Sequence, residues 1–133
     1  MSELSITTSQ IQGNVTVTIL HLGGHLHGST ENQLLDSARQ SYEDGATHLL
    51  LDLSGLEVLS SAGLRAIQNI FKLLTPPSDM ELIHKHSEEP YKSPYLKLVC
   101  PNPQIYYVLN ITGFMQNLLV FNNMDDAVKS FSS

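Results

Sequence analysis

Two adjacent hydroxyls offer the plainest chemistry in this chain: Ser60 and Ser61, in the string Leu59-Ser60-Ser61-Ala62-Gly63-Leu64-Arg65. They stand between a short apolar run, His48-Leu49-Leu50-Leu51, and a stretch in which Leu64, Ile67, Ile70, Phe71 and Leu74 recur on one helical face. A serine before such a stretch is a helix N-cap signal, because its oxygen can accept from the orphan amides of the first turn. On that reading one serine caps and the other is solvated. The same place also suits a phosphoryl acceptor. A helix N-terminus exposes the hydroxyl, and its dipole and free amides favour an added phosphate by ~0.3–1 kcal/mol. Arg65 follows Ser61 by four residues, on the same side of the helix, and could pair with the dianion. Phosphorylation at Ser61, or at Ser60, is thus open to these residues, and so is a plain cap.

Histidines supply the second candidate chemistry. His25 and His27 flank Leu26, so on a strand they would share a face and could ligate a metal, with His21 as a further donor. Two imidazoles are too few for a closed site, and exposed loop histidines explain the pattern as well. Beside Ser61 they could form a pH-sensitive positive patch, since an ordinary imidazole titrates near about pH 6.5. His84-Lys85-His86 reads as a solvated loop face, and Cys100, ahead of Pro101, as structural. A hydrolase would need a nucleophile, a base and an orienting carboxylate, for which Ser61, a histidine and Asp52 could be nominated. The nucleophile elbow Gly-x-Ser-x-Gly is absent, and so is a glycine-rich phosphate loop. No enzymatic activity, metal or cofactor is expected.

The elements that must position these groups follow from periodicity. Leu4 to Gln12, the turn pair Gly13-Asn14, and the alternating Val15, Val17 and Ile19 read as a β-hairpin whose second strand ends at Gly23-Gly24. Ser29-Thr30-Glu31-Asn32 opens a helix with Leu34, Leu35, Ala38 and Tyr42 inward, stopped by Gly45. A buried strand at His48–Leu51, closed by Asp52 and Ser54, leads to the helix after Ser61. Residues 75–94 hold Pro76, Pro77, Pro90 and Pro94 and read as a long inserted surface loop. Tyr95–Cys100 resumes the sheet. Asn102-Pro103 caps a helix carried by Ile105, Val108, Leu109 and Ile111 and ended by Gly113. Leu118–Phe121 is a last strand, and Asn123 caps a last helix containing Met124, Ala127, Val128 and Phe131. The order β-β-α-β-α-(long loop)-β-α-β-α predicts a single α/β domain over 1–133, a mixed central sheet with helices packed on it.

Composition narrows the function. A chain of 133 residues can bury one real core. Its net charge of −6, with only seven Lys and Arg, argues against nucleic acid, which needs a basic stripe. One cysteine leaves no internal disulfide and fits a reducing compartment. No apolar run approaches the ~20 residues of a membrane span, and the start lacks a secretory pattern. A cytoplasmic soluble domain is expected.

Asp52-Leu53-Ser54, five further residues, then Ser60-Ser61-Ala62-Gly63-Leu64-Arg65 resembles the signature of the STAS domain, the fold of bacterial anti-sigma factor antagonists. Cys100-Pro101-Asn102-Pro103 to Leu109 and Ile111-Thr112-Gly113-Phe114 resemble that family's penultimate helix and the turn after it, so the likeness runs over roughly residues 5 to 131. It implies partner switching. The unphosphorylated surface of Ser60, Ser61, Ala62, Gly63, Arg65, His25 and His27 would bind an anti-sigma factor serine kinase, with Asp52 and Ser54 shaping the turn beneath. Phosphorylation of the matching serine, Ser61, would weaken that complex, and a serine phosphatase of the PP2C type would reset it. Two positions depart from the pattern. Ser60 replaces an Asp common before the phosphoserine, and Gly24-His25-Leu26-His27 replaces Gly-Glu-Leu-Asp at the end of the second strand. A STAS domain without the switch, serving as a scaffold in a signalling or lipid-transport assembly or as a small-ligand sensor, is the alternative the resemblance leaves open.

Overall fold

The computed structural model describes residues 3–84, 91–111 and 116–131. Its elements are β1 (Leu4–Gln12), β2 (Thr16–Leu26), α1 (Glu31–Glu43), β3 (Leu49–Leu59), α2 (Ser61–Leu74), α3 (Pro77–His84), β4 (Leu96–Val99), α4 (Pro103–Ile111), β5 (Leu119–Phe121) and α5 (Met124–Ser130). The five strands lie in chain order, β1 antiparallel to β2 and the rest parallel. This is the mixed sheet the element order predicts: a two-strand hairpin needs only a tight turn, whereas each later strand returns through a helix.

Alternation along the strands divides the sheet into two faces. Leu20, Leu22, Leu49, Leu51, Leu53, Leu96 and Leu98 pack with Leu34 and Ala38 of α1, with the apolar stripe of α2, and with Ile105 and Leu109 of α4. All five residues that set the period of α2 are buried. On the other face Val17, Ile19, Leu50 and Val99 form a smaller cluster with Ala127 and Phe131, against which Val15, Phe121, Met124 and Val128 pack. Lys97 sits there almost fully buried, donating to the Ser130 carbonyl and hydroxyl at 3.0 and 2.9 Å under the Phe131 ring. Burial pushes its ammonium below the ordinary lysine range.

Four expectations are corrected. β2 does not stop at Gly23-Gly24 but runs on to Leu26, its register against β3 slipping at those glycines. β3 does not stop at Leu51. Asp52 and Ser54 look like a turn, yet the strand continues because the Asp52 carboxylate finds partners within the sheet and Leu53, Leu56 and Leu59 keep it buried. Gly55 lets the two strands meet there, since a Cβ would come 2.9 Å from the Leu22 carbonyl oxygen. The stretch read as loop contains α3, which starts on Pro77, where a missing N–H costs nothing, and is tied down by the Tyr91 hydroxyl donating to Asp79 at 2.6 Å. Finally, Tyr42 and Ile111, expected inward, are exposed. Lys85, His86 and the 112–115 turn lie outside the described residues. The caps at Asn102 and Asn123 are present, each accepting an amide of its helix's first turn.

Candidate functional site

The site grows from the carboxyl ends of β2 and β3, where the chain turns into α2. Ser60 has extended backbone angles, its carbonyl accepts from Leu64 and its amide donates to the Leu26 carbonyl at 3.0 Å. That amide bond ties the last residue of β2 to the entry of α2. Ser60 is the N-cap, its Oγ accepting from the Gly63 amide at 3.4 Å. Ser61, the first helical residue, is exposed. The division between a capping serine and a free one, left open by spacing, is therefore decided by one dihedral turn of the backbone.

Ala62 and Gly63, expected in a partner-facing surface, are buried. Gly63 is the seat of the helix: a Cβ would lie 2.8 Å from both Leu26 Cγ and Leu59 Cδ1 and 2.9 Å from the Leu26 carbonyl. Only glycine lets α2 start this close to the two strand ends. Arg65 is exposed and reaches across to α1, Nη2 standing 3.7 Å from Oε1 of Glu31. An open pair of this length holds little energy, so Arg65 is free to turn toward an anion on Ser61.

Only one of the two histidines is the loop residue expected. His25 lies within β2, and His27 directly follows it, their rings 6.1 Å apart. Each meets a carboxylate, His25 Nε2 with Glu57 at 3.3 Å and His27 Nε2 with Glu3 at 2.7 Å. The Ser29 amide donates to His27 Nδ1 at 3.1 Å, so Nε2 carries the proton and donates to Glu3. Neither His27 nitrogen keeps a lone pair for a metal, and among the described residues no group of three or more His, Cys, Asp or Glu could hold one. Buried Thr30 pins this strand end by donating to the His25 carbonyl at 2.8 Å and accepting from the His27 amide at 3.0 Å. Sequence reading missed Glu3, Glu31 and Glu57 because each comes from a different element; only Glu57, close before Ser60, carried a local hint.

Asp52 does not lie beneath Ser61. It sits opposite His21 in the β2–β3 register, accepting from His21 Nδ1 at 2.8 Å, and from the amide and hydroxyl of Ser54 at 3.1 and 2.6 Å. His21 Nε2 in turn accepts from the Ser9 hydroxyl at 2.9 Å. Burial alone would raise the Asp52 carboxyl, but the bonds from Ser54 and His21 outweigh it and hold it below its ordinary value. A serine, a histidine and an aspartate do meet, but the serine is Ser9 of the edge strand, not Ser61, and the three lie across an open sheet face.

The STAS domain model matches residues 8–76, just over half of the chain, and spans this site except for Glu3. The chain belongs to the STAS domain family. Solved structures extend the likeness over the full fold. An anti-sigma factor antagonist from Mycobacterium paratuberculosis aligns at 21% identity and a TM-score of 0.70, covering 97% of this chain and 96% of that one. A putative anti-sigma factor antagonist from Thermotoga maritima aligns at 19% identity and a TM-score of 0.74, covering 96% and 95%. The Bacillus cell fate determinant SpoIIAA in its phosphorylated form aligns at 13% identity and a TM-score of 0.58, covering 94% and 97%. No curated protein matches. In this STAS domain Ser61 is an exposed helical residue, and no helix among the described residues is long and apolar enough to cross a membrane.

Proposed function

We propose that this STAS domain is an anti-sigma factor antagonist working by partner switching, with Ser61 as its phosphoryl acceptor. One observation carries the assignment to Ser61: its hydroxyl is exposed at the first position of α2, whereas Ser60 Oγ caps the helix. The unmodified surface, made by Ser61, Arg65 and the His25–His27 strand end, binds a cytoplasmic anti-sigma factor with serine kinase activity. A phosphate there brings about two negative charges beside Glu31 and Glu57, with Arg65 as the nearest guanidinium. Docking then requires desolvating a dianion that the partner surface does not match, which weakens the complex. A serine phosphatase of the PP2C type restores binding. The solved structures named anti-sigma factor antagonists support this reading through their shared fold.

The test is binding of the co-expressed kinase by two variants. Ser61→Asp should lose tenfold or more in affinity, about 1.4 kcal/mol, and Ser61→Ala should bind constitutively. Equal affinity for both would remove the switch. A second reading rests on the strand end: paired imidazoles and glutamates stand where an acidic pair would be expected by resemblance. They favour a STAS subunit that is not phosphorylated and acts as a scaffold. Intact mass of the protein isolated from its own cells separates the two, since only the switch predicts a phosphate on Ser61 or Ser60.

A further inference from the structure

The two edges of the sheet are built differently. β5, the edge beside β4, is three residues long and offers another strand little to pair with. β1, the opposite edge, is nine residues long, and no strand meets its outer side among the described residues. Sheets keep such edges apart with lysine, proline, a bulge or a covering segment. From Leu4 to Gln12 there is no charged residue and no proline. The pairing with β2 runs from Leu4↔Gly24 to Gln12↔Thr16 without a bulge.

The ladder fixes which backbone groups face outward. The Glu3 carbonyl accepts from the His25 amide at 2.8 Å, and at the other end the Gly13 amide donates to the Val15 carbonyl at 3.2 Å. These bonds flank the pairs Leu4↔Gly24 and Gln12↔Thr16, so those two pairs are the unbonded kind, and the two kinds alternate along an antiparallel ladder. Ser5, Thr7, Ser9 and Ile11 therefore bond to β2, while Ile6, Thr8 and Gln10 aim amide and carbonyl away from it. At its start the edge is closed by α1, Gln33 Nε2 donating to the Leu4 carbonyl at 2.8 Å. The stretch left to a partner is centred on Thr8.

That stretch is complementary to itself. A second β1 laid antiparallel, Thr8 opposite Thr8, sets Ile6 against Gln10 and Gln10 against Ile6, with two main-chain bonds at each pair. No other antiparallel register uses all three residues. On the open face Thr7 then falls opposite Ser9, a hydroxyl pair of the sort that sheets favour, and no like charges face each other. We propose that β1 pairs with β1 of a second copy of this chain across a two-fold axis at Thr8, joining two five-stranded sheets into one. Such a contact is isologous and closes on itself as a dimer.

Sedimentation equilibrium and native mass spectrometry of the full chain test this. The wild type should dimerise. Thr8→Lys and Thr8→Glu, each alone, should weaken the dimer at least tenfold, because like charges then meet on the axis. Mixed in equal amounts, the two variants should form a dimer holding one chain of each, since the facing charges are now opposite. Both should keep the wild-type circular dichroism, because the Thr8 amide makes no bond to β2 and its side chain is exposed. Thr8→Pro supplies an independent arm: it removes the outward N–H while leaving the β1–β2 bonds in place, and should also be monomeric. A wild type that stays monomeric up to about 1 mM, or a dimer that all three substitutions leave intact, overturns the proposal. Charged variants that fail to pair in the mixture overturn the register at Thr8.

Discussion

On one face of the sheet, leucines from four strands meet α1, α2 and α4; on the other, beyond the reach of α5, Ser9, His21, Asp52 and Ser54 bond to one another across three strands. The same backbone carries both, and the side chains alternate between them residue by residue. The covered face is held by burial, which has no direction and tolerates no gap. The open face is held by charge-assisted hydrogen bonds that depend on protonation. The Ser61 site belongs to the first kind of region. Its position is set by how closely α2 can sit on Leu26 and Leu59, and its polar groups are arranged on top of that fit.

Mutations can break this contrast at three strengths. The largest effect is expected from Ile67→Ala, which empties a fully buried position between α2 and the sheet. It should cost about 2–5 kcal/mol, read from urea unfolding with an unchanged slope. Gly63→Ala comes next. Its methyl would meet a leucine carbon and a backbone oxygen of the strand that holds the site, for a loss of about 1–3 kcal/mol. Since the methyl displaces the start of α2, the phosphorylation proposed for Ser61 should also slow. A Gly63→Ala protein with wild-type stability and phosphorylation rate would show that the seat is not tight.

The smallest effect separates the faces by pH. Asp52 is held below its ordinary value of 3.8 in the folded chain, so its bonds contribute fully above the unfolded value and fade as pH falls through the folded one. Asp52→Asn should therefore lose on the order of 1 kcal/mol at neutral pH, and its difference from the wild type should fade as pH falls through the folded-state value. Stability curves of the two proteins from pH 7 downward check this. A difference that stays constant into acid would mean the carboxylate's charge plays no part on the open face.

Much of this molecule can be read from its residues. The period of Leu64, Ile67, Ile70, Phe71 and Leu74 is a one-dimensional pattern, and all five are buried as it demands. Asn102 and Asn123 cap by local geometry, so their roles need nothing beyond their own turn. Legibility ends where partners come from afar. Asp52 looks like a strand stop until His21, from the neighbouring strand, satisfies it. α3 hides behind two prolines, and its anchor, Tyr91, lies on the far side of 85–90. His25 reads as loop because nothing nearby in the chain announces its partner Glu57.

By itself, then, the sequence determined the order of strands and helices apart from α3, and the place where α2 begins, since periodicity, caps and turn residues act over a few positions. It also determined that two hydroxyls and a guanidinium would gather at that helix start. Only the tertiary structure decided that Ser60 is the cap and Ser61 the free hydroxyl, because that depends on where Leu26 ties the chain as it enters α2. It alone decided that glutamates from β3, α1 and the start of the chain pair with His25, Arg65 and His27. Those outcomes rest on distances between residues far apart in the chain, which are set only once the core between them has packed.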